Sequence, residues 1–447
     1  MPACRAVRAL LLLLLLLLLL APAGALFINI RDPPYSAVGD GVHDDTLPLR
    51  AALAALASSA TGGTLLLPAP YTFLSQALNL SANLDLEVAG TLLAAPGGPL
   101  WPLIPPLPWF GGGVDAPESG APEWQPFLLG LYAHNLTIRG GGVVDGGGGP
   151  WWACAHGAPP LQAPPCSGFS RPRLLQPRHA RGFALRGLTL RNSPAWTIDL
   201  ENVSDARLAD FAVLAPADQG NTDGVDVTCS QRVAIENFVY RGGDDAVAVK
   251  AGLGWLGRAF GLRTEDVLVR NMSVLSGNGF AVGSEMSAGV RNVTFANITV
   301  QCLPTSPCKH GLYIKTARGR GGLVEGVSAV DVVVGGGVAL GHGITLDYTR
   351  PQPPPTNASA TPAVRGVTFS GGSIASPVAF SLQGLPESAV EGLLVQGVAL
   401  ARGTRAASAC ANASGVCRGM APGACPPCLT AEASAASGGG GVIACKK

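Results

Sequence analysis

Residues 220–250 read GNTDGVDVTCSQRVAIENFVYRGGDDAVAVK and contain two short β-rich runs, GVDV and DAVAV, each preceded by aspartate or glycine. Runs of this kind, bounded by glycine, asparagine or aspartate, recur roughly every 20 to 35 residues through most of the chain, which is the repeat length of a solenoid. A single coil of a solenoid cannot bury its own apolar face, so neighbouring coils must stack. The pattern therefore predicts an all-β fold, a right-handed parallel β-helix, over residues 26–401.

A β-sandwich is the alternative all-β fold. It would place tight Asn-Gly or Asp-Gly hairpins between alternating strands, and the sequence has few such signals. One helix is predicted near the beginning, where Asp44 and Asp45 offer capping oxygens, Pro48 suits a first turn and LRAALAALA follows. We expect this short helix to cap the N-terminal end of the β-helix, and residues 402–447 to form a cysteine-rich C-terminal cap or tail.

The first 25 residues are typical of a secretory signal peptide. Arg5 and Arg8 precede an unbroken leucine run from Leu10 to Leu20, and an A-x-A cleavage motif ends at Ala25. A membrane anchor is the alternative, but a span needs about 20 apolar residues, more than this run supplies. We expect a secreted, extracellular or cell-wall protein that is free of the membrane after cleavage. N-x-S/T sequons are consistent with this location and begin at Asn79, Asn135, Asn202, Asn271, Asn292, Asn297, Asn357 and Asn412.

The cysteines favour the same compartment. Of 11 cysteines one, Cys4, lies in the predicted signal peptide, which leaves an even number for disulfides. Plausible local pairs are Cys154–Cys166 and Cys302–Cys308. The sequence CPPC at 425–428 has no second CxxC or spaced histidine pair beside it, so we interpret it as a structural staple and not as a zinc site.

Charge excludes one class of partner. Only 13% of residues are charged and the net charge is +1, so the chain lacks the basic surface that nucleic-acid binding requires. The 47% of hydrophobic residues are enough for a large core. We expect a monomer that binds no nucleic acid.

Stacking the predicted coils aligns equivalent residues in columns. The apolar pairs of successive strands should point inward together, because alternate residues of a strand share a face. One column lies two residues before the first inward position of each strand and contains Asp223, Asp245 and Asn278. Two outward columns follow, reading Asp226, Ala248, Ala281, Tyr313 and Thr228, Lys250, Gly283, Lys315.

Three acids are thereby predicted to converge. Asp223 and Asp245 would lie on adjacent coils about 4.8 Å apart. Asp244 joins them only if Gly242 and Gly243 let the backbone turn just before the strand. Carboxyl groups held this close cannot all ionise easily, so at least one should have a raised pKa, which is the arrangement that glycosidic bond cleavage needs.

Two other interpretations of the acids remain. Aspartate is common at turns, and a turn residue needs no chemistry. Clustered carboxylates also bind calcium. Lys250 and Lys315 nearby would offset the charge that a cation requires, so we expect neither a metal nor another cofactor.

The ordered set of motifs resembles the polygalacturonase family, glycoside hydrolase family 28, and within it the plant-type probable polygalacturonase branch. NTDGVDV, GGDDAVAVK, GNGFAVGSEMSAGV and GLYIKTARGRGG stand in the family's order, and upstream segments such as WPLIPPLPWF and GGGVVDGGGGPWW also match. The similarity spans about residues 27–348. It implies a right-handed parallel β-helix that hydrolyses α-1,4-linked galacturonan in pectin with inversion at the anomeric carbon.

The resemblance also implies roles for individual residues. Asp244 corresponds to the general acid, and Asp223 and Asp245 correspond to the pair that activates water. Asn221 corresponds to a residue that supports the substrate and the acid cluster. Lys315 corresponds to a lysine that contacts a galacturonate carboxylate, and Tyr348 to a tyrosine on the leaving-group side.

The sequence departs from the family at two of these positions. Asn278 stands where the family has a histidine, and asparagine can donate a hydrogen bond but cannot carry a proton. Tyr313 stands where the family has an arginine, so an aromatic face replaces a planar carboxylate fork. We expect weaker binding of a bare galacturonate at that position and acceptance of a neutral, esterified or branched unit.

These observations predict a secreted inverting glycoside hydrolase acting on pectic polysaccharide. The alternatives are a hydrolase of rhamnogalacturonan or substituted galacturonan with the same fold, a calcium-dependent pectate lyase, and a catalytically impaired pectin-binding homologue. His310, just before the GLYIK run, is predicted to occupy a surface corner.

Overall fold

The computed structural model describes residues 25–97, 100–106, 122–156, 171–348 and 357–432. The predicted signal peptide, except Ala25, lies outside these residues, as does Cys166 of the predicted Cys154–Cys166 pair. None of the helices in the described part is long and apolar enough to cross a membrane.

Parallel strands, numbered β1 to β35 in chain order, form two large sheets. The smaller sheet has 12 strands: β5 (Leu78–Asn79), β10 (Leu128–Leu131), β13 (Leu175–Arg178), β16 (Ile198–Glu201), β18 (Val225–Thr228), β20 (Asp245–Lys250), β22 (Gly279–Gly283), β24 (Cys308–His310), β25 (Leu312–Lys315), β27 (Val338–Thr345), β30 (Val378–Gln383) and β33 (Arg405–Ala411).

The larger sheet has 21 strands and bends around the remaining sides of each coil: β1 (Leu26–Asn29), β2 (Asp40–Asp44), β3 (Gly63–Leu67), β4 (Thr72–Ser75), β6 (Leu84–Val88), β7 (Thr91–Ala94), β11 (Leu136–Arg139), β12 (Val143–Asp145), β14 (Arg181–Arg186), β15 (Thr189–Arg191), β17 (Ser204–Leu214), β19 (Gln231–Arg241), β21 (Thr264–Val274), β23 (Val290–Val300), β26 (Leu323–Val334), β28 (Ala363–Ser370), β29 (Ser373–Ile374), β31 (Val390–Gln396), β32 (Ala399–Leu400), β34 (Ala413–Arg418) and β35 (Thr430–Glu432). A separate antiparallel pair joins β8 (Leu103–Ile104) and β9 (Glu123–Trp124).

The predicted right-handed parallel β-helix is confirmed. The helices are α1 (Thr46–Ser58), α2 (Gly149–Ala155) and α3 (Gly254–Phe260), with a 3₁₀ turn at Ala358–Ala360. The predicted N-terminal helix is α1, which packs Leu49, Leu53 and Leu56 against the first coils. Packing of this helix against the first described coils removes their apolar surface from water.

Strand registers confirm the inward and outward columns. Val225 pairs with Val247, Val247 with Phe280, and Phe280 with Leu312, all fully buried. One predicted alignment is wrong. The pairing between β20 and β22 shifts at Ala246, so Asp245 lies opposite Gly279 and Asn278 aligns with Asp244. The cause is a β-bulge, in which one strand carries an extra residue against its partner.

Ladders of polar side chains hold the corners between strands. Asp210, Asn237, Asn271 and Asn297 occupy one corner on successive coils, each with φ between +52° and +56°. Asparagine and aspartate tolerate this left-handed conformation better than other non-glycine residues. Each amide donates to the residue one coil earlier, at 2.7, 3.1 and 2.9 Å along the series. This repeated bond keeps the coils in register.

Disulfides stabilise the C-terminal coils. The predicted Cys302–Cys308 bond is present. Cys410–Cys428 and Cys417–Cys425 join residues of the last coils, so each cysteine of the CPPC run has a different partner. Residues 405–432 add strands to both sheets. Cross-links of this kind limit fraying of the last described coils.

Candidate active site

Asp223, Asp244 and Asp245 converge at the N-terminal ends of β18 and β20. One carboxyl oxygen from each lies within 4.8 Å of the other two. Asp223 and Asp245 are only 2% and 3% exposed, whereas Asp244 is half-buried. Asp244 is therefore the member of the trio that an approaching ligand can reach.

A tight backbone turn brings Asp244 to the cluster. A Cβ atom on Gly243 would lie 2.2 Å from the carbonyl oxygen of Gln219, and one on Gly242 would lie 2.3 Å from the hydroxyl of Tyr240. Only glycine allows such close approach. The predicted need for two glycines before β20 is thus explained by contact with the preceding coil.

Tyr240, which the sequence does not single out, hydrogen-bonds both the loop before β18 and the loop before β20. Its buried hydroxyl lies 3.0 Å from the carbonyl oxygens of both Thr222 and Asp244, and it accepts a 3.2 Å hydrogen bond from the Asp244 N–H. The residue lies near the end of a long β-rich run, where an aromatic residue predicts ordinary core packing. Nothing in the local sequence distinguishes it from such a residue.

Asp244 accepts three hydrogen bonds. The donors are the backbone N–H of Asn221 at 3.0 Å, the backbone N–H of Asp245 at 2.9 Å and the side-chain amide of Asn278 at 2.6 Å. Together these three donors fix the orientation of the carboxylate. Asn221 contributes through its backbone, and its side chain is exposed.

Asp245 forms a buried ion pair with Lys315, whose Nζ lies 2.7 Å from the carboxylate. Burial lowers the pKa of Lys315, but the charge of Asp245 outweighs it, and the pKa is raised overall. The lysine thus stays charged and is engaged by the cluster itself. Its position is set by the β22–β25 pairing, which aligns Gly283 with Lys315.

Asp223 is the member of the trio with a raised pKa. Burial is the largest cause, followed by the negative charges of Asp226 and Asp244, while Lys250 opposes them. Its Oδ1 has no hydrogen-bond partner among the described residues. A carboxyl in these surroundings keeps its proton to higher pH than an ordinary aspartate does.

The cleft floor toward the earlier coils is also polar. Lys250 lies 2.9 Å from Asp226 and its Nζ stands 3.5 Å from the ring centre of Trp196. Burial raises the pKa of Asp226 to about 7 although Lys250 lowers it. Trp196 was also missed, because a single tryptophan after a proline is no more typical of a cleft than of a core.

An aromatic group borders the cluster toward the later coils. The ring of Tyr313 lies over Gly343, where a Cβ atom would come within 2.5 Å of it. Tyr348 meets Tyr313 edge-on at 6.2 Å between ring centres, and His310 lies 4.9 Å from Tyr313. The predicted surface position of His310 is wrong: the residue is 5% exposed, because β24 adds it to the smaller sheet. Burial, with the charge of Lys315, lowers its pKa to about 3, so the ring is neutral.

The structure therefore brings the sequence-predicted residues into one cleft. Asn278 and Lys315 contact the acids directly, Asn221 contacts them through its backbone, and Tyr313 and Tyr348 form the aromatic border. The three carboxyl groups are also a donor set for a hard cation. Lys315 already neutralises Asp245, which disfavours a divalent ion at this position.

Comparisons with known proteins agree with this geometry. A family model described as glycosyl hydrolases family 28 matches residues 110–422, well over half of the chain. A probable polygalacturonase of Vitis vinifera is 28% identical over 411 residues, which cover 89% of this chain and 79% of the relative. A probable polygalacturonase of Arabidopsis thaliana is 25% identical over 379 residues, covering 82% of this chain and 76% of the relative.

A solved structure has the same fold. The exopolygalacturonase of Thermotoga maritima superposes with a TM-score of 0.72 at 24% identity, covering 84% of this chain and 87% of the bacterial one. At this identity the likeness supports the parallel β-helix and says nothing further about substrate.

Proposed function

The chain belongs to family 28 of the glycosyl hydrolases, and on that premise we propose that it cleaves α-1,4-galacturonosyl linkages of pectic polysaccharide with inversion at the anomeric carbon. The observation that carries the proposal is the convergence of Asp223, Asp244 and Asp245 within 4.8 Å in three different surroundings. One carboxyl is buried with a raised pKa, one is ion-paired and one faces the cleft. Acid–base cleavage of a glycosidic bond needs carboxyl groups of unequal proton affinity.

Asp244 is the proposed general acid. It is the accessible member of the trio, so it alone can touch the glycosidic oxygen. Its neighbour Asp223 supplies a site where the cluster stores a proton before substrate arrives. That proton must pass from Asp223 to Asp244 before cleavage, which leaves Asp223 ionised to accept a proton from the attacking water.

Asp223 and Asp245 are the proposed water-activating pair. Both are too buried for direct attack on a sugar, whereas a water molecule between them and the anomeric carbon is small enough to bridge the gap. Most inverting enzymes separate their two carboxyl groups by about 6.5–9.5 Å to leave room for water. The nearest oxygens here are closer, so the water must lie beside the cluster and not between its members.

The remaining residues bind or support. Lys315 holds Asp245 in place and lies 5.5 Å from the ring centre of Tyr348. Asn278 and Asn221 orient Asp244 through hydrogen bonds. Tyr313 offers a ring face for stacking against a sugar, which is favourable for apolar C–H surfaces.

We further propose that the enzyme acts outside the cell as a monomer. The predicted signal peptide over residues 1–25 supports export, and the three disulfides of the described chain suit an oxidising compartment. Residues 26–401 would form the catalytic β-helix and residues 402–447 its C-terminal cap.

The direct test is product chemistry on purified mature protein. Incubation with unesterified galacturonan should release reducing ends without the ultraviolet absorbance of unsaturated uronides, and a chelator should not change the rate. Absorbing products that disappear with chelator would instead indicate a lyase. Binding of the polymer without turnover, unchanged by Asp244→Asn, would indicate an impaired homologue.

Tyr313 favours a second candidate, hydrolysis of a substituted galacturonan or of rhamnogalacturonan. Its ring is packed between His310 and Gly343 and carries no charge to attract a carboxylate. A panel of unesterified, methyl-esterified and branched pectic polymers distinguishes the two. Faster release from substituted polymers would favour this candidate over plain galacturonan.

A further inference from the structure

Most basic side chains around the acid cluster already hold a carboxylate. A substrate carboxylate would have to compete with a buried protein carboxylate for each of these cations, which is costly because the protein partner would be left unpaired. The pairs are Lys315–Asp245 at 2.7 Å, Lys250–Asp226 at 2.9 Å, Arg178–Glu123 at 2.7 Å and Arg173–Glu123 at 2.8 Å.

Arg171 differs from these cations. It lies just before β13 and is half-buried, and its Nη2 donates a 2.7 Å hydrogen bond to the carbonyl oxygen of Gly220. Across the described ranges no ion pair joins its guanidinium to a carboxylate. A guanidinium has five donors, so one bond to a carbonyl leaves a fork available for an anion.

The hydrogen bond to Gly220 places the Arg171 guanidinium near the three acids. Gly220 precedes Asn221, whose N–H donates to Asp244 at 3.0 Å. Burial lowers the pKa of Arg171, while the charges of Asp223 and Asp244 raise it. The group is thus a cation partly withdrawn from water and close enough to the trio to feel its charge.

We propose that Arg171 is a specificity-determining residue whose guanidinium binds the carboxylate of the substrate unit on the earlier-coil side of the acid cluster. The inference rests on the proposed function, because it assigns a ligand group within the same cleft. A planar fork suits a carboxylate better than an ammonium group does, since both oxygens can be bound at once.

The two ends of the cleft then recognise different substrate groups. Strand β13 lies two rungs before β18 and β25 lies two rungs after β20, so Arg171 and Tyr313 approach the acids from opposite ends of the cleft. Arg171 demands a free carboxylate on its side, and Tyr313 accepts an uncharged unit on the other. Lys309 also lacks a carboxylate partner in the described chain, but it is exposed and so screened by solvent.

The test measures binding separately from turnover. Calorimetry with unesterified trigalacturonate would compare the full mature chain carrying Asp244→Asn with the same chain carrying Asp244→Asn and Arg171→Gln, at two salt concentrations. We expect Arg171→Gln to weaken Kd at least about tenfold, as for loss of a hydrogen bond to a charged group, and to reduce the salt dependence of Kd. Arg171→Lys should recover part of the loss.

Arg291→Gln is the matched control, because Arg291 is exposed on β23 of the larger sheet. A Kd change below twofold for Arg171→Gln, an unchanged salt dependence, or an equal change for Arg291→Gln would overturn the proposal. A fall in the melting temperature with Kd unchanged would assign Arg171 to holding the 220 loop, which also overturns it.

Failure of the proposed function gives a different result. If the wild-type chain releases no reducing ends from any pectic polymer, the hydrolase assignment fails while the Kd comparison still decides the role of Arg171. If the wild type is active and Arg171→Gln binds trigalacturonate as tightly as its parent, only the role of Arg171 fails.

Discussion

The side-chain amide of Asn278 donates a 2.6 Å hydrogen bond to the carboxylate of Asp244, across 34 residues of chain and between two adjacent coils. The bond exists because the bulge at Ala246 moves Asn278 out of line with Asp245 and opposite Asp244. An amide at this point holds the accessible acid in one orientation without itself titrating. Substitutions at the cleft therefore have predictable consequences for catalysis.

Asn278→Leu should lower kcat/KM by about tenfold or more, because it removes the 2.6 Å hydrogen bond that positions the Asp244 carboxylate, and a hydrogen bond to a charged group is worth about 1.5–3 kcal/mol. The measurement is the initial rate of reducing-end release at several substrate concentrations. Asn292→Leu is the control, since it removes an equally short bond, 2.6 Å to Asp266, at an exposed corner. An unchanged kcat/KM in Asn278→Leu, or an equal loss in both variants, would contradict the prediction.

Asp244→Asn should lower kcat by about 10² to 10⁴-fold, the usual worth of a general acid. The change is nearly isosteric, and the side chain is half-buried, so the melting temperature should change little. Asp210→Asn, in an exposed corner ladder, serves as the comparison for a harmless loss of one carboxylate. If the Asp244 variant retained more than about a tenth of wild-type kcat, another group would have to be the acid.

Lys315→Met should destabilise the fold by about 3–5 kcal/mol, because it leaves the Asp245 carboxylate buried without its counter-charge. Adding Asp245→Asn should restore much of that loss, which a double-mutant cycle in urea would measure. Arg365→Met is the matched control: its pair with Glu325 has the similar length of 2.8 Å but is exposed, so it should cost about 1 kcal/mol or less. If Lys315→Met and Arg365→Met lowered the free energy of unfolding equally, burial of the Lys315–Asp245 pair would have no energetic consequence.

Asp223→Asn should make the melting temperature fall less steeply as the pH rises. Because the folded-state pKa of Asp223 is raised, its contribution to stability is fully present below the ordinary carboxyl value of 3.8 and is lost as pH rises through the raised value. Melting temperatures measured from pH 4 to pH 8 should fall in the wild type more than in the variant, with the variant the more stable at pH 8. A variant that is less stable than the wild type at pH 8 would show that Asp223 is stabilised in its charged form.

The first product formed should be the β-anomer. Asp223 and Asp245 are too buried to attack the sugar themselves, so water attacks from the face opposite the leaving group and inverts an α-linkage. Proton NMR during the first minutes of hydrolysis, before mutarotation, reports the anomer directly. Initial appearance of the α-anomer would mean retention, and one of the buried acids would then have to reach the anomeric carbon.

Much of the site was predictable from the sequence because the fold is a translational repeat. Parallel coils stack in register, so residues at equal distances from the inward valines lie side by side, as Val225, Val247 and Phe280 do. Convergence of the three aspartates and the alignment of Tyr313 and Lys315 in the outward columns follow from that spacing. The need for glycines at 242 and 243 was also predictable. Asp244 directly precedes β20, so the backbone must turn there before its side chain can join those of Asp223 and Asp245.

The tertiary structure decided the contacts that break the repeat. The bulge at Ala246 shifts the strand register by one residue, so Asn278 lies opposite Asp244 and not Asp245. No local sequence pattern predicts this bulge. Arg171 reaches Gly220 across 49 residues, and Lys315 reaches Asp245 across 70. Proton affinities depend on burial and on charges contributed by several coils at once, so Asp223 could be identified as the acid with the raised pKa only from the folded chain. The sequence by itself determined the β-helix and the column of acids, because these come from periodic spacing; the hydrogen bonds, ion pairs and desolvation that give each acid its own character required the coils to be packed.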